Sequence, residues 1–103
     1  MKIIWLSQAI KAFIKTAEYV RDQFGRTSEL ELYDEVNEYN VYLCQHPYLG
    51  HKEPLLDGRK IDYRSVIVKR YNKIIYYIEN DIIKVIDFWN LRQNPEKLQK
   101  RIK

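Results

Sequence analysis

Basic side chains are concentrated in the C-terminal half of the chain, where they could bind phosphate or acidic groups. Residues 52–103 hold thirteen Lys and Arg against seven Asp and Glu, whereas residues 1–51 hold five against seven. Such a distribution indicates a nucleic acid or an acidic protein as partner, or simply a solvated surface. The densest group comprises Arg64, Lys69, Arg70 and Lys73. Because side chains alternate along a strand, Arg64 and Arg70 share one side, and the two lysines need not join them.

A second basic group ends the chain and comprises Lys97, Lys100, Arg101 and Lys103. It either complements a helix dipole as a solvated last turn or binds phosphate or an acidic surface. The nine tyrosines are interpreted as packing residues rather than as a base-stacking platform. His46 and His51 have no third ligand in view, so no metal site is expected. The lone Cys44 predicts no internal disulfide and is consistent with a reducing, cytoplasmic setting.

The N-terminal half has the pattern of a strand followed by two helices. Residues 2–6 form a short apolar run, and Ser7 stands where a helix N-cap belongs. Apolar residues then recur every three or four positions up to Gly25, which predicts an amphipathic helix. A second helix, capped by Thr27 or Ser28, is expected to end before Pro47, and the short connection makes the pair an antiparallel hairpin.

The C-terminal half has the pattern of a sheet. Residues 47–60 are predicted to be a loop, because they contain two Pro and two Gly without periodicity. Three strands are predicted at 63–70, 73–79 and 82–89, with turns at Tyr71–Asn72 and Asn80–Asp81, and a last helix at 96–103. The expected fold is α+β: a short N-terminal strand, an antiparallel helix hairpin packed on a small antiparallel sheet, and a short basic C-terminal helix. At 103 residues the chain is expected to be one domain, 1–103.

Three segments in this order resemble the RelE/ParE superfamily of bacterial toxins. They are the opening IIWLSQAIKAF, the Pro-x-x-Gly loop in HPYLGHKEPLL, and the long strand region that ends in Arg-x-x-Pro. The resemblance implies a cytoplasmic toxin of a type II toxin–antitoxin pair, of the plasmid-stabilisation type, neutralised by a cognate antitoxin whose tail wraps the helices and sheet. No cofactor, metal or membrane is implied. Exposed apolar patches would allow the chain to form a homodimer without the antitoxin.

The resemblance leaves two targets open, because one branch of the superfamily cuts mRNA in the ribosome and another inhibits DNA gyrase. If the chain is a ribonuclease, the family pattern assigns catalysis to Arg64, Lys73 and Arg92. Val66 stands where a second lysine is expected, and residues 93–103 contain neither Tyr nor His. A tyrosine, one of Tyr71, Tyr76 and Tyr77, would have to fill the vacant role.

These vacancies favour a ParE-like block of DNA gyrase. The alternatives are a ribosome-dependent mRNA endonuclease, which would make the chain an enzyme, and a non-toxic antitoxin-binding module. The residues expected to bind the target are Arg70, Arg92, Lys100, Arg101 and Lys103. Arg92 could instead pair with Asp87 or with the carboxylates of the first two helices. Replacing Arg101 and Lys103 with Glu is expected to abolish growth inhibition and to leave the fold intact.

Overall fold

A five-stranded mixed sheet organises the computed structural model, which describes residues 1–102. Its strands follow the order β1-β5-β4-β3-β2. The elements are β1 (Lys2–Trp5), α1 (Ser7–Phe24), α2 (Arg26–Gln45), β2 (His51–Lys52), a 3-10 turn (Pro54–Leu56), β3 (Arg64–Val68), β4 (Asn72–Glu79), β5 (Ile82–Asn90) and α3 (Pro95–Arg101). Neither α1 nor α2, the long helices of this described part, is apolar enough over a sufficient length to cross a membrane.

The two long helices pack side by side on one face of the sheet, as their apolar periodicity predicted. Ala9, Phe13 and Ala17 of α1 and Leu32, Val36 and Leu43 of α2 are buried against inward-facing residues of β3, β4 and β5. Gly25 alone joins the helices, and its φ of +94° is one that residues with a side chain rarely adopt. The N-cap residues differ from the predicted Ser7 and Thr27 or Ser28. Leu6 is the N-cap of α1 and Gly25 that of α2, and no side chain caps either helix.

The opposite face of the sheet is covered by the 3-10 turn and by α3. Leu98 and Ile102 pack with Leu56 and Trp89 in a second apolar cluster. Arg59 donates hydrogen bonds to the carbonyl oxygens of Gln99, at 2.7 Å, and of Ile102 at the end of α3. The predicted basic helix therefore exists but is docked on the sheet rather than extended into solvent.

Pairing at both sheet edges differs from the prediction of a small antiparallel sheet. β1 runs parallel to β5, with Ile3 opposite Ile83, so the sheet is mixed. At the other edge, the segment predicted to be a loop contributes β2, which pairs with β3 over two residues only. A bulge between Ile75 and Tyr76 interrupts the β4–β5 pairing. Pairing between distant segments leaves no local periodicity, which explains why the sequence did not reveal it.

The two hairpin turns both have left-handed backbone. Asn80 and Asp81, with φ of +53° and +60°, form the turn predicted at that position. The β3–β4 turn occupies residues 69–71 rather than Tyr71–Asn72, with Lys69 at φ +51° and Arg70 at +66°. The earlier position follows from the pairing of Val68 with Asn72, which makes Asn72 the first residue of β4.

Candidate functional site

The three cations assigned to RNA cleavage are spread over different parts of the sheet. Lys73 lies on the face away from α1 and α2, where it contacts Glu53. Arg64 lies two positions before Val66 in β3, so both side chains start from the same face of the sheet. Val66 packs there against the helices. Arg92 follows the end of β5. The structure therefore does not assemble these three side chains around one point.

Lys73 is held in a buried ion pair. Its side chain is 8% exposed, and its Nζ contacts Oε1 of Glu53, whose side chain is fully buried. The same Oε1 accepts a hydrogen bond from Ser65 Oγ at 3.0 Å, and Oε2 accepts one from the Leu55 N–H at 3.0 Å. The lysine is thus committed to a protein carboxylate that fixes the segment after β2.

A cleft of about 720 Å³ opens beside this ion pair, between β3 and the end of α2. Its apolar and aromatic lining includes Tyr39, Tyr42, Leu49 and Ile67. Burial, followed by the nearby Glu35 carboxylate, raises the pKa of the Tyr39 phenol. The lining suits an apolar segment of another chain better than a phosphate backbone.

Arg64 and Tyr76 both hold the Pro47–Gly50 loop. Arg64 donates from Nη1 to the Gly50 carbonyl oxygen at 2.8 Å, and its guanidinium lies 5.0 Å from the ring centroid of Tyr48. Tyr76 donates to the Pro47 carbonyl oxygen at 2.8 Å and accepts from the Gly50 N–H at 2.9 Å. Burial raises the pKa of the Tyr76 phenol, and the Gly50 N–H and Arg64 partly oppose it. Tyr76 is fully buried, so it cannot reach a substrate as a base.

This loop leads to a first prediction, for Gly50→Ala. A Cβ on Gly50 would lie 2.7 Å from Tyr76 Oη and 2.8 Å from the Ser65 carbonyl oxygen, closer than carbon and oxygen approach. We expect the free energy of unfolding to fall by about 1–3 kcal/mol, as for other overpacked sites. Urea titration measures it. Gly58→Ala is not a suitable control because of its φ of +79°, so Ser28→Ala serves instead; equal stability of Gly50→Ala and wild type would contradict the assignment.

Arg92 and Tyr71 form an exposed stacked pair. The Arg92 guanidinium lies 4.0 Å from the centroid of the Tyr71 ring. The Leu91 N–H donates to the Tyr71 carbonyl oxygen at 2.6 Å and ties the end of β5 to the β3–β4 turn. Within residues 1–102, Arg92 has no ion-pair partner, so the alternative pairing with Asp87 is wrong.

Asp87 is instead bound by Arg101. Arg101 donates from Nε to Asp87 Oδ2 at 2.8 Å and from Nη2 to Oδ1. The fully buried carboxylate also accepts from Gln8 Nε2 at 3.2 Å and from the Phe88 N–H at 2.8 Å. This contact argues against the expectation that Arg101 can be replaced with Glu in an intact fold. Of the other predicted target-binding residues, Arg70 and Lys100 are exposed, and Lys103 lies outside the described residues.

The sequence did not reveal Glu53 as a partner of Lys73, and it indicated Arg92 rather than Arg101 as the possible partner of Asp87. Both carboxylates are buried, and each is held there by a charged partner, Lys73 for Glu53 and Arg101 for Asp87. In the part of the chain that the structure describes, no group of His, Cys, Asp and Glu is arranged to hold a metal ion.

Comparison with known proteins supports the architecture. No family model and no curated protein matches the sequence. A chain of the solved structure of the chromosomal ParDE TA system from P. aeruginosa is similar, with a TM-score of 0.72 and 14% sequence identity. The match covers 89% of this chain and 97% of that chain. The protein therefore shares its fold with a chain of that ParDE system.

Proposed function

We propose that the protein is the toxin of a type II toxin–antitoxin pair and that it inhibits growth by binding DNA gyrase rather than by cutting RNA. The toxin assignment is supported by the likeness of the fold to a chain of a ParDE system. The observation that carries the choice of target is the buried Lys73–Glu53 ion pair, which engages one of the three cations that the resemblance assigns to RNA cleavage.

RNA cleavage requires a base, a cation on the phosphate and an acid to converge on one phosphodiester. Here Lys73 is neutralised by Glu53, Arg64 is bonded to Gly50, and Arg101 is bonded to Asp87. Three of the cations expected at an active site or target surface thus make contacts within the protein that stabilise its fold. A toxin that acts by binding needs an exposed surface rather than such a convergence.

An antitoxin partner is supported by the apolar groups that the helix hairpin leaves exposed. Ile10 and Ile14, one turn apart on α1, are 45% and 44% exposed. Tyr33 of α2 lies beside α1, with its ring 4.9 Å from that of Phe13, and remains 38% exposed. An antitoxin segment with its own apolar stripe would cover this surface.

The alternative, a ribosome-dependent mRNA endonuclease, is favoured by one observation. Tyr71, one of the tyrosines that could complete the nuclease set, lies directly against the exposed Arg92. Both side chains are exposed, so the guanidinium could contact an RNA phosphate while the ring stacks on a base. The Arg92–Tyr71 pair is therefore where RNA chemistry would occur if the gyrase assignment fails.

Purified protein tests the two targets in parallel. We expect it to inhibit supercoiling by a bacterial DNA gyrase and to leave mRNA intact in a reconstituted translation reaction. Induction in growing cells should then produce DNA cleavage and a damage response before translation falls. Transcripts cut within coding regions, with gyrase unaffected, would contradict the proposal in favour of the nuclease. Unimpaired growth would leave only the non-toxic antitoxin-binding module.

A further inference from the structure

Each of the two hairpin turns contains two residues with positive φ, but the residue types differ between the turns. All four central residues have φ between +51° and +66°. Asn80 and Asp81 suit this region, because their short polar side chains tolerate left-handed backbone. Lys69 and Arg70 do not suit it, since long side chains carry the full steric penalty there. The β3–β4 turn is therefore less stable than an Asn-Gly turn would be.

Within residues 1–102, one of these two unfavourable residues has an ion-pair partner and the other has none. Lys69 Nζ lies 3.7 Å from a Glu31 carboxylate oxygen and 4.0 Å from one of Glu35, which ties the turn to α2. Arg70 is exposed and makes no ion pair within residues 1–102. Its strained conformation thus has no compensating contact inside the described chain. Strain of this kind is typically retained where a side chain serves an interaction.

Arg70 precedes Tyr71 in the turn, and the residues that contact Tyr71 extend this site into a surface, here called the turn surface. It comprises Phe24, Arg70, Tyr71, Leu91 and Arg92. Phe24 is 68% exposed and lines, with Tyr71, a notch of about 210 Å³ whose floor includes Val20 and Leu32. Leu91 is 40% exposed beside the Arg92–Tyr71 stack. Exposed aromatic and arginine side chains around an apolar notch are the composition of the centre of a protein interface.

We propose that the turn surface binds an acidic segment of a partner protein. An apolar side chain of the partner fills the notch, and flanking carboxylates pair with Arg70 and Arg92. The apolar notch favours a protein over a nucleic acid, because a partner side chain can fill it, whereas a phosphate backbone has no apolar group to place there. This inference rests on the proposed function, since it takes the partner to be the target of the toxin.

Three variants test the turn surface against wild type. Arg70→Gly removes the cation and relieves the left-handed backbone, so its melting temperature should stay equal or rise while its inhibitory concentration against gyrase rises at least tenfold. Arg92→Glu should lose inhibition to a similar or greater extent. Lys60→Glu makes the same change of charge at an exposed position near the other end of β4 and should inhibit like wild type. Fluorescence anisotropy with a labelled single-stranded RNA is run on all four proteins.

Each result has a fixed meaning. Undiminished inhibition by Arg70→Gly, equal losses in Arg92→Glu and Lys60→Glu, or RNA binding that tracks the loss of inhibition would overturn the turn surface as a protein-binding site. If wild type inhibits growth without inhibiting gyrase, the proposed target is wrong, and the growth assay then tests the turn surface. Loss of growth inhibition in Arg70→Gly and Arg92→Glu, but not in Lys60→Glu, supports the turn surface as a binding site. A wild-type chain without either activity would overturn both.

Discussion

Replacing Arg101 with alanine is expected to lower the free energy of unfolding by about 3 kcal/mol, the low end of the range for breaking a buried ion pair, because Asp87 is buried but the Arg101 side chain is 36% exposed. Asp87 is fully buried, and Arg101 provides two of its hydrogen bonds. The remaining donors, Gln8 and the Phe88 N–H, are neutral and cannot balance the carboxylate charge. Since domains of this size have about 5–15 kcal/mol of total stability, urea titration should show a large loss or an unfolded chain.

Two further variants identify the cause of that loss. Lys100→Ala removes an exposed cation from the same helix and should change stability by less than about 0.5 kcal/mol. Asp87→Asn combined with Arg101→Met removes both charges and should recover much of the stability. Wild-type stability in Arg101→Ala would refute the structural role of the pair. If Arg101 stabilises the fold in this way, a double variant with Glu at positions 101 and 103 would lose growth inhibition because it unfolds. The loss would then not be evidence of a target contact.

Much of the fold could be predicted from local sequence patterns. The three-to-four spacing from Ile10 to Phe24 predicted α1, and the runs rich in Ile, Val and Tyr predicted the three central strands. Pro95 and the basic residues after it predicted α3. What the patterns could not contain is pairing between distant segments. The parallel contact of Ile3 with Ile83 and the short strand at His51–Lys52 exist only because the folded chain brings them together.

The candidate site shows the same limit more sharply. The sequence identified Lys73 and Arg101 as candidate functional cations. The role of a cation depends on its partner, and the local sequence did not assign the partner of either one. Glu53 comes from the loop region, and Asp87 interrupts an apolar strand fourteen residues before Arg101. The Pro-x-x-Gly loop was recognised as a motif. The reason for its glycine, a close approach to Tyr76 Oη, required the structure.

Replacing Lys73 with methionine should likewise lower the free energy of unfolding by about 3–5 kcal/mol, because it leaves the Glu53 carboxylate buried without its cation. Adding Glu53→Gln should recover most of the loss: the amide oxygen can accept from the Leu55 N–H while the amide nitrogen donates to Ser65 Oγ. Lys52→Met, an exposed lysine in β2, is the matched control and should be close to wild type. Urea titration of the four proteins measures these differences.

The same double variant separates a structural lysine from a catalytic one. With Glu53→Gln present, the fold no longer depends on Lys73, so any remaining effect on toxicity comes from the missing amine. We expect the double variant to inhibit growth as strongly as wild type, because Lys73 serves to hold Glu53 and the segment after β2 in place. A stable double variant that no longer inhibits growth, with the loss of an mRNA cleavage that wild type performs, would make Lys73 part of an RNA active site. The proposed gyrase target would then fall with it.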